Sequence, residues 1–407
     1  MFAVLAWTMV LGILSQKFAL LLTSETPLQL IVLIGYASLA LLALYGKAHC
    51  NVLSLVLTLA FLGSATIANL FTAPAITSLA YVYAVYAPMP VRVKLSRPAY
   101  MRHLNLFQTL NLFVSGWVFL DWGFQFAGLP MPNVEHHLLE FFRYFNFNYI
   151  QPLEWGSPWL KPNAYFFLEV SFVAQSIATA LVLELCLFRR VPLIGVYAIA
   201  LIVSFSGTGL LLVALCLPVI VFYLRPKLIA LALVATPIAV GTAFGIGLVD
   251  NAIHRSEEFS HEGASGNQRF LGQVEAVTSS LGTQPMDAFV GIGAGQMLQN
   301  GRVVWNPITK VTVEYGVFVA LIYFAMIFTA VFGKGKPFIV GYVLLVQFLF
   351  LNGGFLVPII VFTILILSGF IEIEDPPRAS PPISSGLLSA RSKAPPARHG
   401  QEYLSQR

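Results

Sequence analysis

The sequence predicts an all-α polytopic membrane protein with about 12 transmembrane helices and two long external loops. Composition is the first reason: of 407 residues, 57% are hydrophobic and only 10% charged, whereas a soluble domain carries roughly 25% charged residues. The second is that apolar runs of about 20 residues, long enough to cross a bilayer as helix, recur along nearly the whole chain. The third is physical: backbone polar groups cannot face hydrocarbon unpaired, which makes the helix the default spanning element.

Taken in order, the runs fall at 2–23, 28–45, 51–70, 72–90, 104–126, 165–188, 191–204, 207–224, 227–249, 311–332, 338–352 and 355–372. The first has no positive residue before it and no small-residue cleavage pattern after it, so it reads as a span rather than a removable leader. Alternate connections differ in charge. Segments 46–50, 91–103, 189–190, 225–227 and 333–337 hold eleven basic residues, from Lys47 to Lys336, and no acidic one. The other set holds Glu25, three acids in 127–164 and six in 250–310, against six basic residues. Basic residues stay on the cytoplasmic side, which places both termini there and both long loops outside.

The organisation that follows is N-terminal helices over 1–126, a first external loop over 127–164, central helices over 165–249, a large external loop over 250–310, C-terminal helices over 311–372 and a tail over 373–407. The first loop is dense in Phe, Tyr and Trp, which favour the headgroup zone, so part of it is expected along the outer interface. The second is polar and Gly-rich, with Phe270, Val274, Val277 and Leu281 at helical spacing over 267–282. The tail, rich in Pro, Ser and basic residues, is expected to be disordered. Cys50, Cys186 and Cys216 are isolated thiols, expected as small packing residues rather than a disulfide or metal set.

Spans seven and eight share only 34 residues, Val191 to Leu224, about 51 Å of helix at ~1.5 Å per residue. Two crossings need roughly 60 Å plus a turn. Either the turn SFSGTG (204–209) sits below the outer surface or both helices are short; non-helical backbone at that depth needs protein or water around it, which implies a sunken polar pocket opening outward. Ser206 in this turn is a candidate substrate contact.

Five further residues could carry chemistry. Glu169, in PNAYFFLEVSF (162–172), is an acid near the start of a span, and intramembrane acids usually face a cavity or a partner. With Asn163 as the cap it would lie beyond the first helical turn, where the dipole benefit has decayed. Arg269 opens the amphipathic stretch of the second loop; it is either solvated or, with the helix N-terminus, aimed at an anion. Lys310 either pairs with Glu314 four residues on or points at a bound phosphate. Arg302 and Asn306 are weaker loop candidates. Glu184, near Arg189 and the cytoplasmic surface, is accounted for by pairing and snorkelling. The Gly291-x-Gly293-x-Gly295 run lacks a strand–helix unit and is no phosphate fingerprint. His136, His137 and Glu140 fit an interfacial helix better than a ligand set, and His254 and His261 lack metalloprotease context. No paired acids on the external side point to a metal, and no cofactor is expected.

At these residues the chain resembles the O-antigen polymerase and ligase superfamily of bacterial envelope glycosyltransferases, in particular its exopolysaccharide polymerase branch. KPNAYFFLEVSF is similar to the branch's extracellular span start, with Leu-Glu-Val-Ser for its Leu-Glu-Pro-Ser. SFSGTGLLLVAL resembles its Ser-rich turn, and FVGIGAGQ…VVWNPITKVTVEYGVF the end of its large periplasmic loop. The likeness covers 162–332. Trp305 stands where many relatives have His, and the turn lacks the arginine common in ligases; both departures favour a polymerase.

The resemblance implies a metal-independent transferase at the periplasmic face of the bacterial inner membrane. It would pass a glycan from undecaprenyl pyrophosphate to the next lipid-linked repeat unit. Glu169 would then be the base that takes the sugar hydroxyl proton, with Arg269, and Lys310 or Arg302, meeting the charge on the pyrophosphate. Implied partners are undecaprenyl pyrophosphate-linked oligosaccharides and the membrane, with chain-length regulator and export proteins as further candidates and no nucleic acid. A ligase acting on another acceptor, and a transporter of a lipid-linked saccharide, are the alternative expectations.

Overall fold

Helix dominates the structure, a computed structural model that describes residues 1–224 apart from 24–25, 73, 135–137, 145–146, 148–149 and 154–155, and then 273, 276–279, 285–299, 306–351 and 354–374. The expected ninth span, most of the second loop with Arg269, Arg302 and Trp305, residues His136, His137, His254 and His261, and the tail from 375 lie outside the described residues.

The helices in the first half are α1 (Phe2–Leu14), α2 (Leu30–Leu44), α3 (Val52–Leu70), α4 (Ile76–Tyr86) and α5 (Arg97–Phe126). The central helices are α6 (Val170–Leu183), α7 (Val191–Val203) and α8 (Gly207–Tyr223). Then come the short α9 (Pro285–Val290) and α10 (Gln296–Gln299), followed by α11 (Pro307–Tyr315), α12 (Val317–Val331), α13 (Phe338–Val346) and α14 (Pro358–Ile364). Three of them, α6, α13 and α14, end in a wider π turn, over Glu184–Phe188, Gln347–Leu351 and Leu365–Gly369. Five strands are present among the described residues: β1 (Ala19–Thr23), β2 (Thr26–Gln29), β3 (Ala48–Cys50), β4 (Val91–Ser96) and β5 (Ile371–Glu374).

Several expected spans change on folding. The run 2–23 is helix only to Leu14, then forms a hairpin of β1 with β2. A continuous apolar run does not by itself separate helix from strand, and Lys17 interrupts this one. The run 311–332 breaks at Gly316, whose φ of +86° suits glycine and where a Cβ would overlap the Phe289 carbonyl. Conversely, α5 begins at Arg97, before the expected 104, because the Ser96 hydroxyl accepts from the Ala99 N–H and Pro98 is preset for a first turn. Among the described residues, two helices are long and apolar enough to cross a membrane, Val52–Leu70 and Val170–Phe188, and eight further apolar helices are shorter.

Helix α6 is the hub. Of its apolar stretch 72% is buried, against 39% in α3; it packs on α5, α7, α8 and α13. Connections sort to two ends. At one, β4 lies between β3, antiparallel, and β5, parallel, with Lys94 beside Glu372. There Arg189 donates to the Tyr223 carbonyl at 2.6 Å and Arg190 to Asn105 at 2.8 Å. Glu184 is fully buried and bound by Arg190 at 2.7 Å, not by Arg189 as its sequence neighbourhood suggested; Arg189, at φ 62° as the helix cap, turns away. The other end joins the α1–β1 turn, the α3–α4 connection, the α5–α6 loop and the α11 region through the contacts below. Among the described residues, the basic segments 46–50, 91–103, 189–190 and 333–337 thus lie at one end. Cys186 and Cys216 are buried as expected, whereas Cys50 is exposed on β3.

Lys336 lies at the basic end, its Nζ donating to the Ser368 carbonyl at 2.8 Å and hydroxyl at 3.2 Å. Burial, then the Arg92 guanidinium, lower its pKa to about 7, with Glu372 opposing. Between that value and its ordinary 10.5 the unfolded chain holds a proton that the folded chain lacks, so stability rises with pH across the window. Below pH 7 both states are protonated and the full cost of the enclosed charge is present. Lys336→Met should therefore be the more stable protein at pH 6, with the gap closing towards pH 10. Thermal unfolding followed by fluorescence across that range reads this directly; parallel curves would refute it.

Candidate functional site

The segment before α6 is held in a conformation that its residues do not favour alone. Ala164 and Tyr165 both have positive φ, 50° and 62°, which costs non-glycine residues about 1–3 kcal/mol each. Three buried side chains impose it. Asn163 Oδ1 accepts from the Tyr165 N–H at 3.1 Å, Asp121 Oδ2 from the Ala164 N–H at 3.0 Å, and Lys17 Nζ donates to the Tyr165 carbonyl at 2.8 Å and to Asn133 at 3.1 Å. Lys17, Asp121 and Asn163 are all inaccessible to solvent, and the Lys17 charge acts on Asp121. Gln125, one turn further along α5, exchanges hydrogen bonds with Leu160, 2.7 and 3.0 Å. The end of α1, α5 and the first loop therefore clamp one turn.

Asp121→Ala would leave the Ala164 N–H without its acceptor and the Lys17 ammonium without its counter-charge. Removing one partner of a buried charged group costs ~3–5 kcal/mol. A large fall in thermal midpoint is expected, with a smaller fall for Asp121→Asn, whose carbonyl still accepts from Ala164; equal midpoints for all three proteins would refute the clamp.

The clamp ends at Glu169. The residue is half-buried and extended, φ −146° and ψ 162°, immediately before the first helical residue, Val170. It is not inside the helix, as the sequence suggested, because the strained turn delays the helix start. At this position the helix dipole favours a carboxylate. Its side chain makes no capping bond to the backbone; Oε2 accepts from the Ser171 hydroxyl at 2.9 Å. Three residues on begins a helix face, Phe172, Ser176 and Thr179, that lines a small cavity of about 50 Å³ together with Phe167, Ile360 and Gln347. The cavity is mostly apolar with a few hydroxyl and amide groups.

Ser206 caps α8 without a side-chain-to-backbone bond and touches Thr208 Oγ1 at 3.0 Å. Phe205 beside it has φ 50° and meets the Trp122 ring at 5.6 Å, and Trp122 donates to the Val203 carbonyl at 2.8 Å. The α7–α8 turn is thus 204–206 alone, and Ser206 is buried. Helices α7 and α8 have 13 and 17 residues, about 20 and 25 Å at ~1.5 Å per residue. Both are too short for a full crossing, as the sequence arithmetic required.

Asn306 serves the fold: its Oδ1 accepts from the Thr309 N–H at 2.8 Å, capping α11, which accounts for it without a ligand. Lys310 lies 3.8 Å from Glu314, the paired arrangement of the two that the sequence left open. Glu314 is fully buried, and the Gly295 and Met297 amides face it without reaching good hydrogen-bond geometry. The glycine run explains itself here: Gly291, Gly293 and Gly295 all have positive φ, and the loop runs against α11, the Ile292 and Gly293 amides donating to the Val313 and Glu314 carbonyls at 2.9 and 3.0 Å. A Cβ at Gly291 would strike the Glu314 carbonyl. Asn69 of α3 accepts from Ala294 at 2.8 Å, tying this unit to the same end as Glu169.

Lys17 and Asp121 are polar groups that sequence reasoning does not single out, and Glu314 it names only as a partner for Lys310. A signal exists for the first two, since each is a charge inside an apolar run. Comparison of the chain with protein-family models, with curated proteins and with solved structures found no match.

Proposed function

We propose that the protein is a polytopic inner-membrane glycan polymerase, transferring a saccharide from undecaprenyl pyrophosphate to the next lipid-linked repeat unit on the non-basic side. Exposed apolar stripes support the membrane reading. Leu53, Val56, Leu59 and Ile67 on α3, and Phe318, Leu321 and Phe328 on α12, present large side chains outward at helical spacing. The gathering of basic connections at one end supports the orientation, with about twelve crossings, several of them short. Exposed Phe126, Leu129, Leu139 and Phe141 at the other end fit an interfacial belt.

The place of Glu169 carries the functional reading. An acid stands at the polar end of a largely buried helix, on the face whose next turns line a small apolar cavity, so a carboxylate for a sugar hydroxyl lies beside apolar surface suited to a lipid carrier. Glu169 takes the proton of the attacking hydroxyl. Arg269, with Arg302 and Lys310, offsets the charge that grows on the departing pyrophosphate; Ser206, in the buried turn, contacts the saccharide. The test is to add purified protein to a lipid-linked repeat unit without nucleotide or added metal and to size the products. Long polymer is expected; transfer to a different acceptor would indicate a ligase, and transport between sealed compartments without new glycosidic bonds would overturn the enzyme reading.

A further inference from the structure

A second polar cavity lies at the opposite, basic end, between the start of α3, the α12–α13 connection and β5. It has a volume of about 290 Å³, and its polar lining includes Arg92, Lys334, Lys336 and Glu372. Its charges do not balance. Glu372, the acid of this lining, is hydrogen-bonded to His49 at 2.8 Å, and its single negative charge acts on both Arg92 and Lys336. Arg92 is only 4% exposed, yet its guanidinium donates to neutral oxygens: the Met89 and Val91 carbonyls and the Ser54 hydroxyl. Lys336 likewise donates to the Ser368 carbonyl and hydroxyl. Two enclosed cations that rely on neutral acceptors and repel one another are unfavourable unless an anion joins them.

We propose that this cavity binds a phosphate-bearing anion, held by Arg92, Lys334 and Lys336, and that its source is the headgroup of an acidic phospholipid. Planar guanidinium and flexible ammonium groups together suit phosphate oxygens. The rim argues for a lipid. Leu53 and Phe328, which border the cavity, are 59% and 55% exposed and continue the outward apolar stripes of α3 and α12, so acyl chains would lie along them while the headgroup entered between. A basic pocket at the cytoplasmic end of packed helices is where anionic headgroups are attracted. The groups whose charge acts on Lys336 are Arg92 and Glu372, the latter hydrogen-bonded to His49. The proposal uses only the membrane part of the reading above and is independent of any role for Glu169.

The test is thermal unfolding of the delipidated full chain in mild detergent, with short-chain phosphatidylglycerol, phosphatidylcholine of equal chain length, or inorganic phosphate added. Phosphatidylglycerol should raise the midpoint by several degrees and phosphatidylcholine should not. Lys334→Gln, an exposed loop change that leaves the fold intact, should lose at least half of that shift, and Lys336→Gln should do the same. An equal shift from inorganic phosphate would uphold the anion site and overturn its lipid source. Equal shifts from the two lipids, or a full phosphatidylglycerol shift in Lys334→Gln, would overturn the site itself.

Discussion

Glu169→Gln should leave the protein folded and inserted while abolishing long polymer and causing single repeat units to accumulate. A general base contributes about 10²–10⁴-fold to rate, and glutamine cannot accept the proton. The substitution is mild for the fold. Glutamine keeps an oxygen for the Ser171 hydroxyl, and no capping bond is lost because Glu169 makes none to the backbone. If the carboxylate serves only the helix dipole, the change costs about 0.3–1 kcal/mol of stability and activity stays normal. The two accounts therefore separate cleanly: polymer length by gel, protein level by immunoblot and the thermal midpoint of the purified variant decide between them. Normal chain lengths in Glu169→Gln would end the case for a base at this position.

The alternation of the connections is legible in the sequence because it is written in charge. The basic segments can be grouped without knowing any helix boundary, and strands β3 and β4 bring two of them together, with the acidic β5 alongside. Boundaries are harder where apolarity has no period. The run from Phe2 to Thr23 hides a helix, a turn and a strand behind one hydropathy signal, and Lys17 is the residue that marks the change. Its side chain needs Asn133 and the Tyr165 carbonyl, which only a departure from the helix at Leu14 provides. Glu169 stands out in the sequence as an unusual acid, yet the helix start expected there is wrong by about one turn, because the left-handed Ala164 and Tyr165 are imposed from outside by Asp121 and Lys17. Neither residue type announces such a conformation. The glycine run can be denied a nucleotide role from sequence, but its close approach to Glu314 is a tertiary fact.

Lys310→Met should destabilise the protein strongly, and the second substitution Glu314→Gln should restore most of the loss. Glu314 is fully buried and Lys310 is 20% exposed at 3.8 Å, so removing the lysine leaves a buried carboxylate facing only the imperfectly placed amides of Gly295 and Met297. Such a deletion costs ~3–5 kcal/mol, less if the carboxyl takes up a proton instead. Removing both charges spares that cost, because a neutral pair needs no compensation. Activity then resolves what the pairing alone leaves open. If Lys310 also meets the pyrophosphate, the doubly substituted protein is stable yet slow, because no other group on α11 carries positive charge to the leaving group. If pairing is its whole role, the double variant is stable and makes polymer of normal length. A double variant as unstable as Lys310→Met would show instead that the lysine acts through its packed methylene chain rather than through its charge.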